Sequence, residues 1–453
     1  ALRRIDFADR KVQLFGAGAA LALLVLLVAL GIGGEDYGRV ALLLGLIALP
    51  FAAVLALRRP MLFPYCVYVL AIPFDNMLSL GAAGTLTKFL ALGAAAAIGV
   101  HIVRSRRLRK PGPAFWLWCA FWTWAALGLT WTTDVAAGQQ FITSFGQIIL
   151  LYGLLAVAPL EERDLRAILF CIVAGGALAA LYGLVLFHDD IGASAAQTGG
   201  RLMVNVDTRM IDINHFANAL LAPVAIALVT LLHARKPIVA FFSVAALAIF
   251  GTAIVLTLSR EAMLACVLIA AVLVMFTRRR LLAAAIAVPL VALVPFAIPS
   301  VGARLQSGLS EHGGGRNYIW HVVWLSWQQH PWFGWGTGAA LTAYNANYLH
   351  VYATITEYWS RPPHNTYLHA VVELGVVGLA LFLAALFASF SDLRRIPRAH
   401  PMYDVRVMLT ASLVALIFVA TFIDIADYKY FWVVLATIAQ FRTVVVPANA
   451  PAP

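Results

Sequence analysis

The sequence predicts an all-α protein that crosses a membrane many times, on three observations. Hydrophobic residues fill 62% of its 453 positions and charged residues only 12%, with a mean hydropathy of +0.87. The apolar residues gather into runs of roughly 18 or more, the length a helix needs to cross a bilayer. Basic clusters fall in every second gap between those runs. A bilayer core has no water to satisfy backbone groups, so the runs must be helices.

Fourteen runs follow one another, near 12–32, 38–57, 61–79, 85–103, 113–131, 139–159, 165–187, 211–233, 237–258, 260–276, 281–300, 366–391, 404–423 and 427–446. The first follows a basic segment but is long and has no small-residue cleavage site, so it reads as a retained span. The third contains Pro64, Pro73 and Asp75 and is the weakest span. Twelve to fourteen spans are expected. Two connections are long, 188–210 and 301–365. Loops beyond about 15 residues are usually functional or disordered. The chain divides into an N-terminal transmembrane bundle (1–300), a large outer loop region with short helices (301–365) and a C-terminal three-helix segment (366–453).

The net charge of +11, from 32 Lys and Arg against 21 Asp and Glu, would suggest nucleic acid in a soluble protein. Its placement excludes that. The clusters at Arg58–Arg59, 104–110, Arg235–Lys236, 278–280 and Arg394–Arg398 alternate with apolar runs, which is the positive-inside pattern. Assigning those loops to the cytoplasm, with Arg3, Arg4, Arg10, Lys11, Arg163, Arg166, Arg406 and Arg442, places 23 of the 32 basic residues there. Cys66, Cys119, Cys171 and Cys266 lie inside apolar runs without metal-ligand spacing and read as small buried hydrophobes.

The informative charges are the arginines left outside: Arg39, Arg201, Arg209, Arg260, Arg304, Arg316 and Arg361. Arg260 stands between two apolar runs with almost no loop. It reads either as an anion site, where a planar fork suits phosphate, or as a snorkelling partner of Glu261. In "RPPHNTYLHAVVELG" (361–375), two prolines disfavour helix before His364, so His364 or Asn365 caps the apolar helix that follows. A histidine there stays neutral and can accept a proton, and free amides beside it attract an anion. Plain capping is the alternative. Glu373 pairs with His369 or a buried cation. Trp320, Trp324 and Trp327 form one helical stripe, read as an interfacial belt or as a sugar-stacking platform. No outer loop has a close acidic pair or His-x-x-His spacing, so no metal and no cofactor are expected.

Four segments resemble the O-antigen ligase/polymerase superfamily of bacterial membrane glycosyltransferases: "RMIDINHFANALLAP" (209–223), "SREAML" (259–264), "GRNYIWHVVWLSWQQHPWFGWGTG" (315–338) and "HNTYLHAVVELGVVGL" (364–379). The first lacks the usual Gly and Asn-Pro-Asn. The resemblance implies a transferase in the bacterial inner membrane with its active site facing the periplasm. Its donor would be a glycan on undecaprenyl diphosphate, and its acceptor the lipid A–core oligosaccharide. A polymerase or a protein O-oligosaccharyltransferase is the variant within the superfamily. The resemblance implies that Arg209 and Arg260 bind the diphosphate and that His364 is the essential base or an orienting group; His364 and Arg260 are the catalytic candidates, and Arg209, Arg316, Arg361 and Asn365 the substrate-binding ones. A lipid-linked oligosaccharide flippase is the rival class. It should show broken spans in matching halves and ionisable groups near the midplane.

Overall fold

A computed structural model of the protein describes residues 53–75, 85–189, 201–202, 205–206, 209–210, 212–277, 279–285, 316–351 and 361–445. Their helices are α1 (Cys66–Ala71), α2 (Leu86–Ser105), α3 (Pro113–Leu127), α4 (Val135–Val157), α5 (Glu162–Asp189), α6 (Ile213–Ala219) and α7 (Leu221–His233). There follow α8 (Pro237–Thr257), α9 (Arg260–Phe276), α10 (Arg316–Gln329), α11 (Ala340–Asn347), α12 (Thr366–Arg394), α13 (Tyr403–Val419) and α14 (Lys429–Val445). Among the described residues, six helical stretches are long and apolar enough to cross a membrane: α2, α4, α5, α6 with α7, α8 and α12. Shorter apolar helices of 15 to 17 residues, α3, α9, α13 and α14, pack among them. This is an all-α polytopic membrane protein.

The weak run at 61–79 is broken, as its prolines require. A π-turn at Met61–Tyr65 contains Pro64, α1 follows, and a 3-10 turn at Ile72–Phe74 contains Pro73. In the 188–210 connection the described residues form a two-residue antiparallel ladder, pairing Asn205–Val206 with Arg209–Met210. The run 12–32, most of 38–57 and 281–300, the boundary at 300, Arg39 and Arg304 lie outside the described residues.

Lipid is as apolar as leucine, so membrane helices associate through close packing and polar contacts. Trp118 of α3, fully buried, is one such packing centre. Its ring meets Phe382 of α12 edge-on at 5.4 Å and Trp432 of α14 at 4.7 Å. Such pairs contribute about 0.5–1.5 kcal/mol each beyond burial. At the end where α12 finishes, Arg442 Nε reaches Asp392 at 3.2 Å and its Nη1 donates to the Lys110 carbonyl at 3.4 Å. That end carries the basic loops.

Helix α12 is itself interrupted. Gly375 has φ 66° and ψ −170°, which ends one helical ladder and starts another. The segment Pro331–Gly338, between α10 and α11, seats in the break. The Trp335 and Gly336 amides donate to the Val372 and Glu373 carbonyls, both at 2.9 Å, and Trp124 Nε1 of α3 donates to Leu374 O at 3.0 Å. On the far side of the break, the Val376 amide donates to Pro331 O at 2.9 Å. Groups freed by a break at membrane depth cost several kcal/mol each if left unpaired. Here protein supplies their partners. The same segment is pinned to α3 by Thr337 Oγ1, which donates to Ala125 O at 2.6 Å. Part of the expected outer loop is thus buried structure. Only glycine fits position 375, because a Cβ there would overlap the Trp332 carbonyl and φ is positive. Gly375→Ala is expected to lower the melting temperature in detergent sharply, with a cost above the roughly 1–2 kcal/mol of left-handed strain alone; an unchanged melt would contradict this packing.

Candidate functional site

The site forms where α12 begins, at the end of the bundle opposite the basic loops. Pro362 and Pro363 keep the chain extended up to His364. The cap is Asn365, not His364. With φ −162°, Asn365 accepts through Oδ1 from the amides of Tyr367 at 2.9 Å and Leu368 at 3.0 Å. The Thr366 amide donates to Ala420 O at 2.8 Å, and the His369 amide to Asn365 O at 2.9 Å. The first amides of α12 are therefore taken, and the expectation that they bind an anion directly fails. What remains there is the helix field.

His364 takes φ 47°, a left-handed conformation that costs a non-glycine residue about 1–2 kcal/mol. Its neighbours hold it in place, since Trp320 Nε1 of α10 donates to Pro363 O at 3.2 Å. The half-buried ring lies in the field of Arg316, Asp212, Asp424 and Arg361. Burial, followed by the Arg316 charge, draws its pKa below the ordinary 6.5. Neutral imidazole then dominates at pH 7, leaving a nitrogen lone pair able to take a proton. Freed from capping, the ring is available for chemistry.

The predicted arginines converge in part. Arg316 starts α10 and Arg361 precedes the two prolines, and both act on His364. Arg260 is the first residue of α9, after a tight turn in which Leu258 has φ 51°. Its neighbour Glu261, buried, lies 3.9 Å from Arg316, which ties the start of α9 to the start of α10. Arg209 lies on the short ladder three positions before Asp212, the cap of α6.

Several further side chains meet here, and to Arg201, His215, Asp424 and Lys429 the sequence reading gave no site role. Arg201 donates from Nε to Thr257 O at 2.8 Å and from Nη2 to Asn214 Oδ1 at 3.0 Å, bracing the turn that carries Arg260. The His215 ring of α6 stacks on Tyr428 at 3.6 Å and its Nδ1 meets the Tyr430 hydroxyl at 3.1 Å. His369 pairs with Glu373, as expected, at 3.1 Å, and also with Asp424. Lys429 contacts Asp75 at 2.6 Å and Thr87 at 2.8 Å, closing α14 on the broken helix. The only sequence signals were a surplus outer arginine, a histidine inside a quoted motif and a loose pair of aspartates. In the tryptophan stripe, Trp320 and Trp327 pin the backbone, Trp327 through Pro331 O at 3.1 Å. Trp324 is the one left 48% exposed.

The described residues thus form a multi-pass helical membrane protein with a histidine and two arginines acting on it at one helix mouth. Residues 245–383 match the family described as O-antigen ligase, which supports the resemblance to the O-antigen ligase superfamily over that stretch of the chain. The matched stretch runs from within α8 into α12 and contains Arg260, Arg316, Arg361, His364 and Asn365. Arg201, Arg209, His215 and Asp424 lie outside it. No curated protein matches the chain. Since Asn365 alone caps α12, Asn365→Ala should cost about 1 kcal/mol of stability in urea titration. His364→Ala should stay within about 0.5 kcal/mol of wild type. The reverse ranking would return the cap to His364.

Proposed function

We propose that the protein transfers O-antigen glycan from undecaprenyl diphosphate to the lipid A–core oligosaccharide, at the periplasmic face of the bacterial inner membrane. In this reading Arg260 and Arg316 hold the donor diphosphate, and Arg209 and Arg361 are further ligands to its phosphates. Arginine forks supply paired, charge-assisted bonds to phosphate oxygens. His364 accepts the proton of the acceptor hydroxyl as that oxygen attacks the anomeric carbon. The bond from that carbon to the diphosphate breaks, its electron pair leaves with undecaprenyl diphosphate, and the configuration inverts. General-base help is worth about 10²–10⁴-fold, so alignment and charge stabilisation must supply most of the rate.

The observation that carries this reading is the His364 ring, released from capping and set in the field of two arginines. Because its pKa is drawn down, the base stays deprotonated at pH 7. kcat/KM should hold as pH falls to 6.5 and drop only below it. The experiment is reconstitution in liposomes with an undecaprenyl-linked donor, in excess EDTA. The acceptors offered are lipid A–core, a second lipid-linked repeat and a pilin. Glycan should appear on lipid A–core. His364→Asn should bind donor yet lose at least about 10²-fold in turnover. Arg260→Lys should stay poor because a point charge lacks the fork. Loss of activity in EDTA, or a His364→Asn variant within a few-fold of wild type, would overturn the mechanism. Labelling of another acceptor would reassign the enzyme within its superfamily.

A further inference from the structure

His369 and Glu373 stand one turn apart on the first part of α12, and Glu373 is only 4% exposed. His369 Nε2 lies 3.1 Å from Glu373 Oε1, while Nδ1 meets the Asp424 carboxylate. Glu373 Oε1 also accepts from the Ala340 amide at the start of α11, at 3.1 Å. Three segments therefore meet at the His369–Glu373 pair: α12 carries it, the α13–α14 connection reaches the imidazole through Asp424, and α11 reaches Glu373 through the Ala340 amide. Each ring nitrogen faces a carboxylate oxygen, so the ring can serve both only by donating from both nitrogens, which makes it an imidazolium. A charged group is a costly way merely to join helices in apolar surroundings. The arrangement calls for a role in which the charge matters.

The position of Asp424 supplies one. Its two neighbours are bonded to the mouth of α12: Thr366 Oγ1 donates to Ile423 O at 3.0 Å and accepts from the Ile425 amide at 3.0 Å. Thr366 is two residues from His364. Among the charges that reach His364, Arg316 and Arg361 oppose protonation. Asp212 favours protonation, but its Oδ1 is engaged by the Asn214 and His215 amides. Asp424 is the other carboxylate acting on the ring. Burial raises its pKa, yet the His369 charge outweighs burial and leaves it below the usual carboxylate range.

Building on the proposed function, we infer that His369, braced by Glu373, is a positioning residue. It holds the Asp424 carboxylate at the mouth of α12, where Asp424 stabilises the imidazolium formed when His364 takes the acceptor proton. The proton moves from the acceptor oxygen to the His364 ring nitrogen, and Asp424 stays ionised throughout. The arginines that hold the diphosphate would otherwise make that imidazolium unfavourable. The network thus reconciles a cationic donor site with a base that must become cationic.

The test is the pH profile of transfer for reconstituted full-length variants. In Asp424→Asn the loss of a negative neighbour should move the acid limb of kcat/KM to lower pH, by about one unit. The plateau should fall at least tenfold, with donor KM little changed. His369→Gln should lower the plateau similarly, and the Asp424→Asn/His369→Gln double variant should be no slower than the slower single one, because both act through one group. An unmoved limb, or losses that multiply in the double variant, would overturn the inference. If Asp424→Asn does not fold, Asp424→Glu replaces it. That variant keeps the charge, so its limb should stay within a few tenths of a unit of wild type, and a displaced limb would overturn the inference. His364→Asn separates the two levels. Wild-type turnover in that variant removes the base itself, whereas an inactive His364→Asn beside an unmoved Asp424→Asn limb removes only the positioning role.

Discussion

The site depends on the seating of Pro331–Gly338 in the break of α12. A helix interrupted at membrane depth is tolerable only when its freed backbone groups find partners. Val372, Glu373 and Leu374 offer carbonyls there, and Trp335, Gly336 and Trp124 supply the donors. One set of bonds therefore fixes the upper part of α12, which carries His364 at its mouth. It also fixes the α10–α11 pair, which carries Arg316. It adds to the Trp320–Pro363 bond in holding the histidine and the arginine to one another.

Charge is distributed along the same axis. The end of α12 at Arg394 meets Asp392, Arg442 and the Lys110 carbonyl, and carries the basic loops. The end at Thr366 gathers Arg260, Arg316, Arg361, two histidines and several buried carboxylates. A transporter would be expected to expose broken helices to a central path with paired repeats. In α12 the break is filled by the protein's own backbone, which favours a fixed mouth over an alternating one.

Much of this was legible in the sequence. The helices follow from run length. Prolines announced the broken helix at 61–74, and the same logic placed a helix start after Pro363. Two features were not legible. Whether His364 or Asn365 caps α12 turns on a backbone angle, and both residue types are acceptable caps. Gly375 reads like any small residue of a membrane helix, because its partner segment lies some forty positions upstream. The roles of Arg201 and Asp424 were hidden for a related reason. Each contacts a segment far away in the chain, and no local period reports such a pairing.

The central claim is that the 331–338 segment is fixed in the α12 break rather than lying as a solvated loop. Hydrogen–deuterium exchange of the protein in nanodiscs tests it most directly, read on peptides containing Trp335, Gly336 and Val376. If those amides donate to, or across, the break, they should exchange orders of magnitude more slowly than exposed loop amides and about as slowly as the middle of α12. Exchange at loop-like rates within seconds would show that the segment is not seated there and would contradict the claim.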